Sequence, residues 1–139
     1  MTLRLRHRLA MAETGLALAL AWVLVFVVPF KRTAAWLGNP ARPDAAAAVE
    51  PAELDRARTV CRRVARLAQH VPWRTSCLVQ AVAGWMLLKR RGMAATIRLG
   101  VKKDEGKLAA HAWLIVGEEA VLGGAAAASF TPLADMGER

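Results

Sequence analysis

The spacing of apolar residues changes at Gly92, and no other feature of the chain constrains its fold as strongly. Over Ser76–Gly92, apolar residues recur every three or four positions, which is the spacing of a helix. Beyond Gly92 the period falls to two in Ala94–Lys102, Leu108–Val116 and the shorter Ala120–Leu122, which predicts three strands. Because short turns join these strands, the pattern indicates an α+β fold in which a helix packs on a small antiparallel meander.

The predicted helix begins at a cysteine. Thr75 or Ser76 can cap a helix that starts at Cys77, and Gly92 stands where a helix commonly ends. In the first turn, the sulfur lies near unpaired N–H groups and the positive end of the helix dipole. Both favour the thiolate, which is the attacking form, so Cys77 is a candidate nucleophile. The alternative is a small buried thiol without chemistry.

A histidine on the middle strand is the predicted partner of this cysteine. With a period of two, His111 and Trp113 share a face of Leu108–Val116. A thiol at a helix start and an imidazole on a later strand are the groups that a cysteine hydrolase needs, with the imidazole as general base. The alternative is a half-buried histidine that the backbone satisfies.

Three further residues are candidates for contact with a substrate. Trp73 precedes Cys77 closely enough to line its cleft, and Gln80 follows it by one helical turn. Trp113 is expected to form a wall or lid beside the imidazole. For Gln80, a solvated polar side chain is an equally good interpretation.

Residues 1–38 are predicted to be an apolar helical segment. Three interpretations of its role fit the sequence. Thr14–Phe30 carries no charge and has basic residues on both sides. The run is at the lower limit of the roughly 17–25 residues that a membrane span needs, so it fits a core helix, a membrane anchor or an uncleaved signal. Hydropathy alone favours the core helix and the membrane anchor equally. Residues 39–50, rich in proline and alanine, are a predicted linker before the domain at 51–139.

The helix predicted over Pro51–His70 places most of its arginines off the apolar stripe. These arginines indicate a solvated face or, alternatively, a docking surface for an acidic peptide or protein. The net charge is +9, yet no recognition helix, zinc-ligand spacing or phosphate-binding glycine loop accompanies it. We therefore expect no nucleic acid, metal or cofactor. The two cysteines do not form a disulfide framework, in keeping with a cytoplasmic setting.

Taken together, the stretch CLVQAVAGWMLLKRRGMAATIRLGV followed by AAHAWLIV resembles the stand-alone leader peptidase of lasso-peptide biosynthesis. That family is similar to the C-terminal domain of the microcin-processing protein. The resemblance covers roughly Glu53 to Leu133, and the apolar start of the chain is also similar to that of the family. It implies a papain/transglutaminase-like core, preceded by N-terminal apolar helices.

The resemblance also implies a reaction and its partners. Cys77 would be the nucleophile, and His111 the base and then the acid that protonates the leaving amine. The substrate would be a ribosomally made precursor peptide, whose leader is removed to free the N-terminal amine of the core. A separate recognition-element protein would present the leader, and an asparagine-synthetase-like macrolactam cyclase would use the freed amine.

One position departs from the pattern of the family. An aspartate on the third strand commonly orients the imidazole, and the matching position here is Gly123, which Gly124 follows. A backbone carbonyl, a side-chain amide or water is the expected substitute. Two alternatives stay open: a transglutaminase-like acyl transferase, which uses an amine where the peptidase uses water, and a non-catalytic, membrane-associated adaptor of the same biosynthetic complex.

Overall fold

One central helix contacts two other helices and the sheet. The computed structural model describes residues 3–26, 49–71 and 76–136. Within these ranges, helices α1 (Leu3–Phe26) and α2 (Pro51–Ala68) pack against helix α3 (Cys77–Arg90), which also packs on a four-stranded antiparallel sheet. The predicted α+β class, with a helix on an antiparallel sheet and an apolar helix before it, is confirmed.

The ends of the two later helices follow the signals in the sequence. Ser76 precedes α3, and its hydroxyl oxygen accepts a hydrogen bond from the backbone N–H of Val79 at 3.3 Å. Gly92 has a φ of 74°, the left-handed conformation that commonly ends a helix. Pro51 occupies the first turn of α2, where its missing N–H is not needed.

The sheet contains the predicted meander of three strands. Strand β1 (Thr96–Asp104) pairs with β2 (Lys107–Val116), and β2 pairs with β3 (Glu119–Leu122). The β1–β2 turn has positive φ at both central residues, 51° at Glu105 and 80° at Gly106, which matches the right-handed twist of a two-residue hairpin. The predicted place of the histidine on the middle strand of the meander is confirmed.

A fourth strand lies in the segment that the sequence left as a tail of uncertain order from Ser129. Strand β4 (Thr131–Met136) pairs antiparallel with β1, so the sheet order is β3-β2-β1-β4. A 3₁₀ helix, Gly124–Ser129, precedes this strand. Pro132 is tolerated because β4 lies at the edge of the sheet. The strand forms through its pairing with β1 and has little alternation of its own, which is why the pattern did not reveal it.

A glycine allows α3 to lie close to the sheet. A Cβ atom on Gly84 would lie 2.8 Å from Cδ2 of Leu114 and 3.1 Å from Cδ2 of Leu122. The side chain of Leu114 therefore points toward α3, and by the strand period Ala112 and Val116 point the same way. These three residues belong to the main core together with buried residues of α2 and α3.

Helix α1 is apolar on two opposite faces. Its inner face buries Thr14, Leu18 and Ala21, and the Thr14 hydroxyl donates a hydrogen bond to the Ala10 carbonyl at 2.8 Å. Its outer face exposes large apolar residues, namely Leu5, Leu9, Leu16, Leu20 and Val23. An 18-residue window of this helix has a mean hydropathy of 2.0, so the helix is long and apolar enough to cross a membrane, a test that core helices and signal sequences also pass.

Several predictions fall on residues that the structure does not describe. The linker at 39–50 lies outside the described residues up to position 48, and so does the end of the uncharged run after Phe26. The division of the chain at residue 51 therefore stays a prediction.

An ion pair joins α2 to the sheet. The Arg58 guanidinium donates to both carboxylate oxygens of Glu119 on β3, from Nε at 2.6 Å and from Nη2 at 2.5 Å. Its Nη1 atom also pairs with Asp55 at 2.9 Å. This two-bond geometry is the strong form of an arginine–carboxylate pair. The hydrogen bonds from Arg58 hold the pKa of Glu119 below its usual range.

Replacing Glu119 by Gln tests this pair through the pH dependence of stability. Because the folded-state pKa of Glu119 is lowered, its contribution is present above the ordinary glutamate pKa of about 4.3 and is lost as pH falls through the lowered value. We expect E119Q to have a lower Tm than the wild type at pH 7, and the gap to narrow below about pH 4. Thermal unfolding of both proteins at pH 7 and below about pH 4 measures the difference in Tm.

The adjacent turn residue provides the control for that measurement. Glu118 is exposed and makes no ion pair among the described residues, so E118Q should match the wild type at both pH values. A gap between E119Q and the wild type that stays constant across pH would contradict the assignment.

Candidate active site

Cys77 is the first residue of α3 and is partly exposed. The preceding Ser76 is extended, with φ −74° and ψ 171°, and its side chain caps the helix while its carbonyl accepts from the Gln80 N–H at 3.0 Å. This cap fixes the direction of the first turn, so the thiol stands at the positive end of the helix dipole. The predicted position of Cys77 at a capped helix start is confirmed.

The second cysteine has the opposite environment. Cys61 lies within α2, is fully buried, and its sulfur would be 3.8 Å from a Cβ atom on Gly84. Burial raises the pKa of the Cys61 thiol to about 12, because a thiolate is poorly solvated among apolar side chains. Both cysteines are free thiols. Cys77 is therefore the thiol that can act as a nucleophile.

His111 is held by one hydrogen bond and two aromatic rings. Its Nε2 atom lies 2.8 Å from the Gly123 carbonyl oxygen, and the ring stacks on Trp113 with centroids 5.6 Å apart. The Phe130 ring lies on it at 5.1 Å, tilted by 31°. Since a carbonyl only accepts, Nε2 carries the proton in this bond, and Nδ1 is the basic nitrogen of the neutral ring.

The backbone of Gly123 supplies the orienting group at the position where the resembled family commonly has an aspartate. Its φ is 77°, and a Cβ there would lie 3.1 Å from the Ala112 carbonyl oxygen and 3.3 Å from the Trp113 Cβ. Only glycine adopts this conformation at little cost, and it does so in a space that leaves no room for a side chain. Of the three expected substitutes for the aspartate, the structure contains the backbone carbonyl.

The alternation of side chains along β2 places His111 on the other face of the strand from Leu114, which contacts α3. The stacking of His111 on Trp113 confirms that these two share a face. No hydrogen bond joins Cys77 to His111 among the described residues. The structure thus brings His111 together with Trp113, Phe130 and Gly123, and the pairing with Cys77 stays a prediction.

The predicted substrate contacts are placed unevenly. Gln80 lies half-buried on α3 one turn after Cys77. Trp113 is only 4 % exposed, and its ring occupies the space over Gly100 and stacks on His111. Trp73 lies outside the described residues. The roles of all three in binding substrate stay predictions.

Phe130 and an ion pair on the same face escaped the sequence analysis. Asp135 on β4 is 2 % exposed and accepts two hydrogen bonds from Arg98 on β1, at 2.8 and 3.0 Å. Both Asp135 and Phe130 belong to the segment whose strand was not predicted, so no signal connected them with His111. No group of three histidine, cysteine, aspartate or glutamate side chains that could hold a metal ion occurs in the ranges that the structure describes.

Comparison with known families decides the relationship of the chain. A sequence model of the transglutaminase-like superfamily matches residues 24–135. The chain belongs to the transglutaminase-like superfamily. The match begins within α1 and ends within β4, so it includes both Cys77 and His111. Searches of curated proteins and of solved structures gave no significant match.

Membership of the transglutaminase-like superfamily supports cysteine-dependent peptidase or acyl-transfer chemistry. Both reactions need a thiolate that attacks a carbonyl carbon and a proton carrier that serves the leaving amine. The thiol of Cys77 and the imidazole of His111 are groups of the two kinds that these reactions use, and their catalytic roles stay predictions.

Selective alkylation tests the contrast between the two thiols. At pH 7 a thiol with a pKa of about 12 is ionised in only about one molecule in 10⁵. We expect iodoacetamide to modify Cys77 in the folded protein and to reach Cys61 only after denaturation, as read by peptide mass spectrometry. The Cys77→Ser variant should remain unlabelled when folded; rapid labelling of Cys61 in the folded chain would refute the contrast.

Replacing Gly100 by Ala tests whether Gly100 holds the Trp113 ring that stacks on His111. A Cβ there would lie 2.6 Å from Cη2 of Trp113 and 3.0 Å from the Thr131 carbonyl oxygen, so the indole must move. We expect the free energy of unfolding in urea to fall by about 1–3 kcal/mol, the usual effect of overpacking.

Gly15→Ala is the matched control for Gly100→Ala. Gly15 lies within α1, and a Cβ there would make only ordinary contact, 3.7 Å from Cδ2 of Leu67. Because alanine favours helix over glycine by about 1 kcal/mol, G15A should be as stable as the wild type or slightly more stable. Equal stability of G100A and G15A would show that Trp113 is not held in place by Gly100.

Proposed function

We propose that this protein is a cysteine peptidase that removes the leader from a ribosomally made lasso-peptide precursor. The observation that carries the proposal is the partly exposed thiol of Cys77 at the capped start of α3, within a domain of the transglutaminase-like superfamily. The resemblance of the segments around Cys77 and His111 to the leader peptidases of lasso-peptide biosynthesis supplies the substrate.

The reaction divides into two steps. Cys77 gives its proton to Nδ1 of His111, and the resulting thiolate attacks the carbonyl carbon of the scissile peptide, forming a sulfur–carbon bond. The carbon–nitrogen bond breaks as the amine of the core takes that proton from the imidazolium. Water then attacks the carbonyl carbon of the thioester, giving a proton to Nδ1 of the imidazole, and a carbon–oxygen bond forms. The carbon–sulfur bond breaks, the Cys77 sulfur takes that proton back from the imidazolium, and the leader leaves as a carboxylic acid. The backbone N–H of Cys77 is the simplest donor to the oxyanion in both steps.

This mechanism makes one demand on the site. The imidazole has to reach the thiol of Cys77, and in the described state its Nε2 atom is bonded to the Gly123 carbonyl oxygen. Strand β3 pairs with β2 only at residues 114–116, so the edge of β2 beside His111 carries no strand from β3 in the described part of the chain. Nδ1, the ring nitrogen that Gly123 does not hold, is the atom that has to face the thiol.

The proposed setting is the cytoplasm, with two protein partners. A separate leader-recognition-element protein presents the precursor, and an asparagine-synthetase-like macrolactam cyclase uses the freed amine. The exposed leucines on the outer face of α1, together with the superfamily match that starts within this helix, support contact through residues 14–30 with a partner or a membrane surface.

Two other functions make different predictions. A transglutaminase-like acyl transferase would pass the acyl group from Cys77 to an amine, so its product would be a joined adduct and not a free leader. A non-catalytic adaptor has one observation in its favour, the glycine at position 123 where the resembled family commonly has an aspartate. The cleavage assay below separates all three.

Cleavage of the precursor in the presence of the recognition protein, followed by mass spectrometry, tests the proposal. We expect Cys77→Ala to reduce the rate at least about 1,000-fold and His111→Ala about 100-fold or more. Cys61→Ala removes the other thiol and should leave the rate within about twofold of the wild type, because that thiol is buried in the core.

The outcomes separate the elements of the proposal. Unchanged cleavage by the Cys77→Ala variant would remove the enzyme assignment and favour the adaptor. Loss of cleavage with Cys77→Ala but not with His111→Ala would keep the peptidase and assign the proton carrier to another group. A mass equal to leader plus amine would favour the acyl transferase.

A further inference from the structure

A groove with an excess of positive charge lies between the N-terminal part of α1 and the arginine face of α2. It consists of two adjoining cavities of about 280 and 450 Å³, both lined by Thr59 and Arg63. The first is completed by His7, Met11, Arg62 and Arg66. The second adds Arg6, Ala10, Arg56, Val60 and Arg91, with Asp55 as its acidic residue.

Most of the positive charge in this groove is not neutralised by the protein. Arg91 is paired with Glu13 at 2.5 Å, and the carboxylate of Asp55 is paired with Arg58. In contrast, Arg56, Arg63 and Arg66 make no ion pair among the described residues. The net charge of the chain is +9, so the surrounding field adds to the local attraction for an anion.

The groove has the length of a peptide segment. Arg56, Arg63 and Arg66 occupy three successive regions of α2 that span about 15 Å at 1.5 Å per residue. An isolated phosphate would contact one of these regions, whereas a chain with carboxylates several residues apart would contact all of them. Arginine binds carboxylates through two parallel hydrogen bonds, and the apolar atoms of Ala10, Met11 and Val60 offer contact to side-chain carbon.

We propose that this α1–α2 groove binds an acidic segment of a polypeptide. No phenylalanine or tryptophan occurs among the described residues that line the groove, so it lacks the stacking platform typical of sites for single-stranded nucleic acid. The groove runs along the two helices over several turns, which favours an extended anion over a single headgroup.

The groove is close enough to Cys77 for one extended peptide to reach both. Arg91 lines one end of it and lies at the opposite end of α3 from Cys77, about 20 Å away along the helix. An extended chain covers that distance with about six or seven residues. The groove would thus act as a second binding site for an acidic segment of the precursor peptide. This use rests on the proposed peptidase function, whereas the binding itself does not.

Fluorescence anisotropy with the full-length Cys77→Ala chain tests the binding without any thiol chemistry. The probe is a labelled peptide of alternating glutamate and alanine, and its glutamine counterpart is the neutral control. The double variant Arg63→Gln, Arg66→Gln removes two charges inside the groove. The double variant Lys103→Gln, Lys107→Gln removes two exposed charges at the β1–β2 turn and is matched in net charge.

We expect the acidic probe to bind and the neutral one not to bind. The groove variant should weaken binding about 10-fold or more, because each arginine–carboxylate bond is charge-assisted, while the turn variant should weaken it less than about twofold. If the first groove variant fails to fold, as judged by circular dichroism, Arg6→Gln, Arg56→Gln from the other cavity takes its place.

Three results would overturn the proposal. Equal weakening by the groove and turn variants would mean that net charge alone attracts the probe. Tighter, groove-dependent binding of a single-stranded oligonucleotide or of phosphatidylglycerol vesicles would assign the groove to those ligands. No binding at millimolar probe would exclude the site. Each result leaves the Cys77-dependent cleavage unaffected, so failure here is distinguishable from failure of the peptidase proposal.

Discussion

The close approach of α3 to the sheet at Gly84 is the constraint on which the rest of the fold depends. Leu114 and Leu122 occupy the space where a side chain at this position would be, and the Cys61 sulfur from α2 lies beside them. One contact therefore joins two helices and two strands. Because α3 is fixed here along its middle, its first turn and the thiol of Cys77 keep a defined position relative to the sheet.

A second set of contacts, on the opposite face, orients the histidine without any carboxylate. The glycine conformation at position 123 turns a carbonyl toward His111. The absence of a side chain at Gly100 leaves room for the Trp113 ring, which stacks on His111. A carbonyl fixes the tautomer of the ring as an aspartate does, but it stabilises the imidazolium less because it carries no full charge. The site thus has a group that fixes the tautomer of His111, without the full charge that a carboxylate would add.

The sequence predicted these local features more reliably than their arrangement in space. The cap at Ser76, the hairpin turns and the shared face of His111 and Trp113 all follow from local chemistry, and the structure contains them. Which face meets α3 did not follow, because both faces of β2 are buried from Ala112 to Val116 and a strand that is apolar on both sides has no marked inner side. Strand β4 depends on a partner distant in sequence, so its own residues gave little sign of it.

The depth of Cys61 has a consequence for the behaviour of the protein under oxidation. A cysteine oxidised to sulfenic acid is often protected when a neighbouring thiol condenses with it to a disulfide. The sequence has two cysteines, and the second is sealed inside the core with its thiolate suppressed. If a peroxide oxidises Cys77 to sulfenic acid, Cys61 cannot form a disulfide with it. Small thiols in the surrounding solution would then have to reduce the sulfenic acid before it is oxidised irreversibly to sulfinic acid.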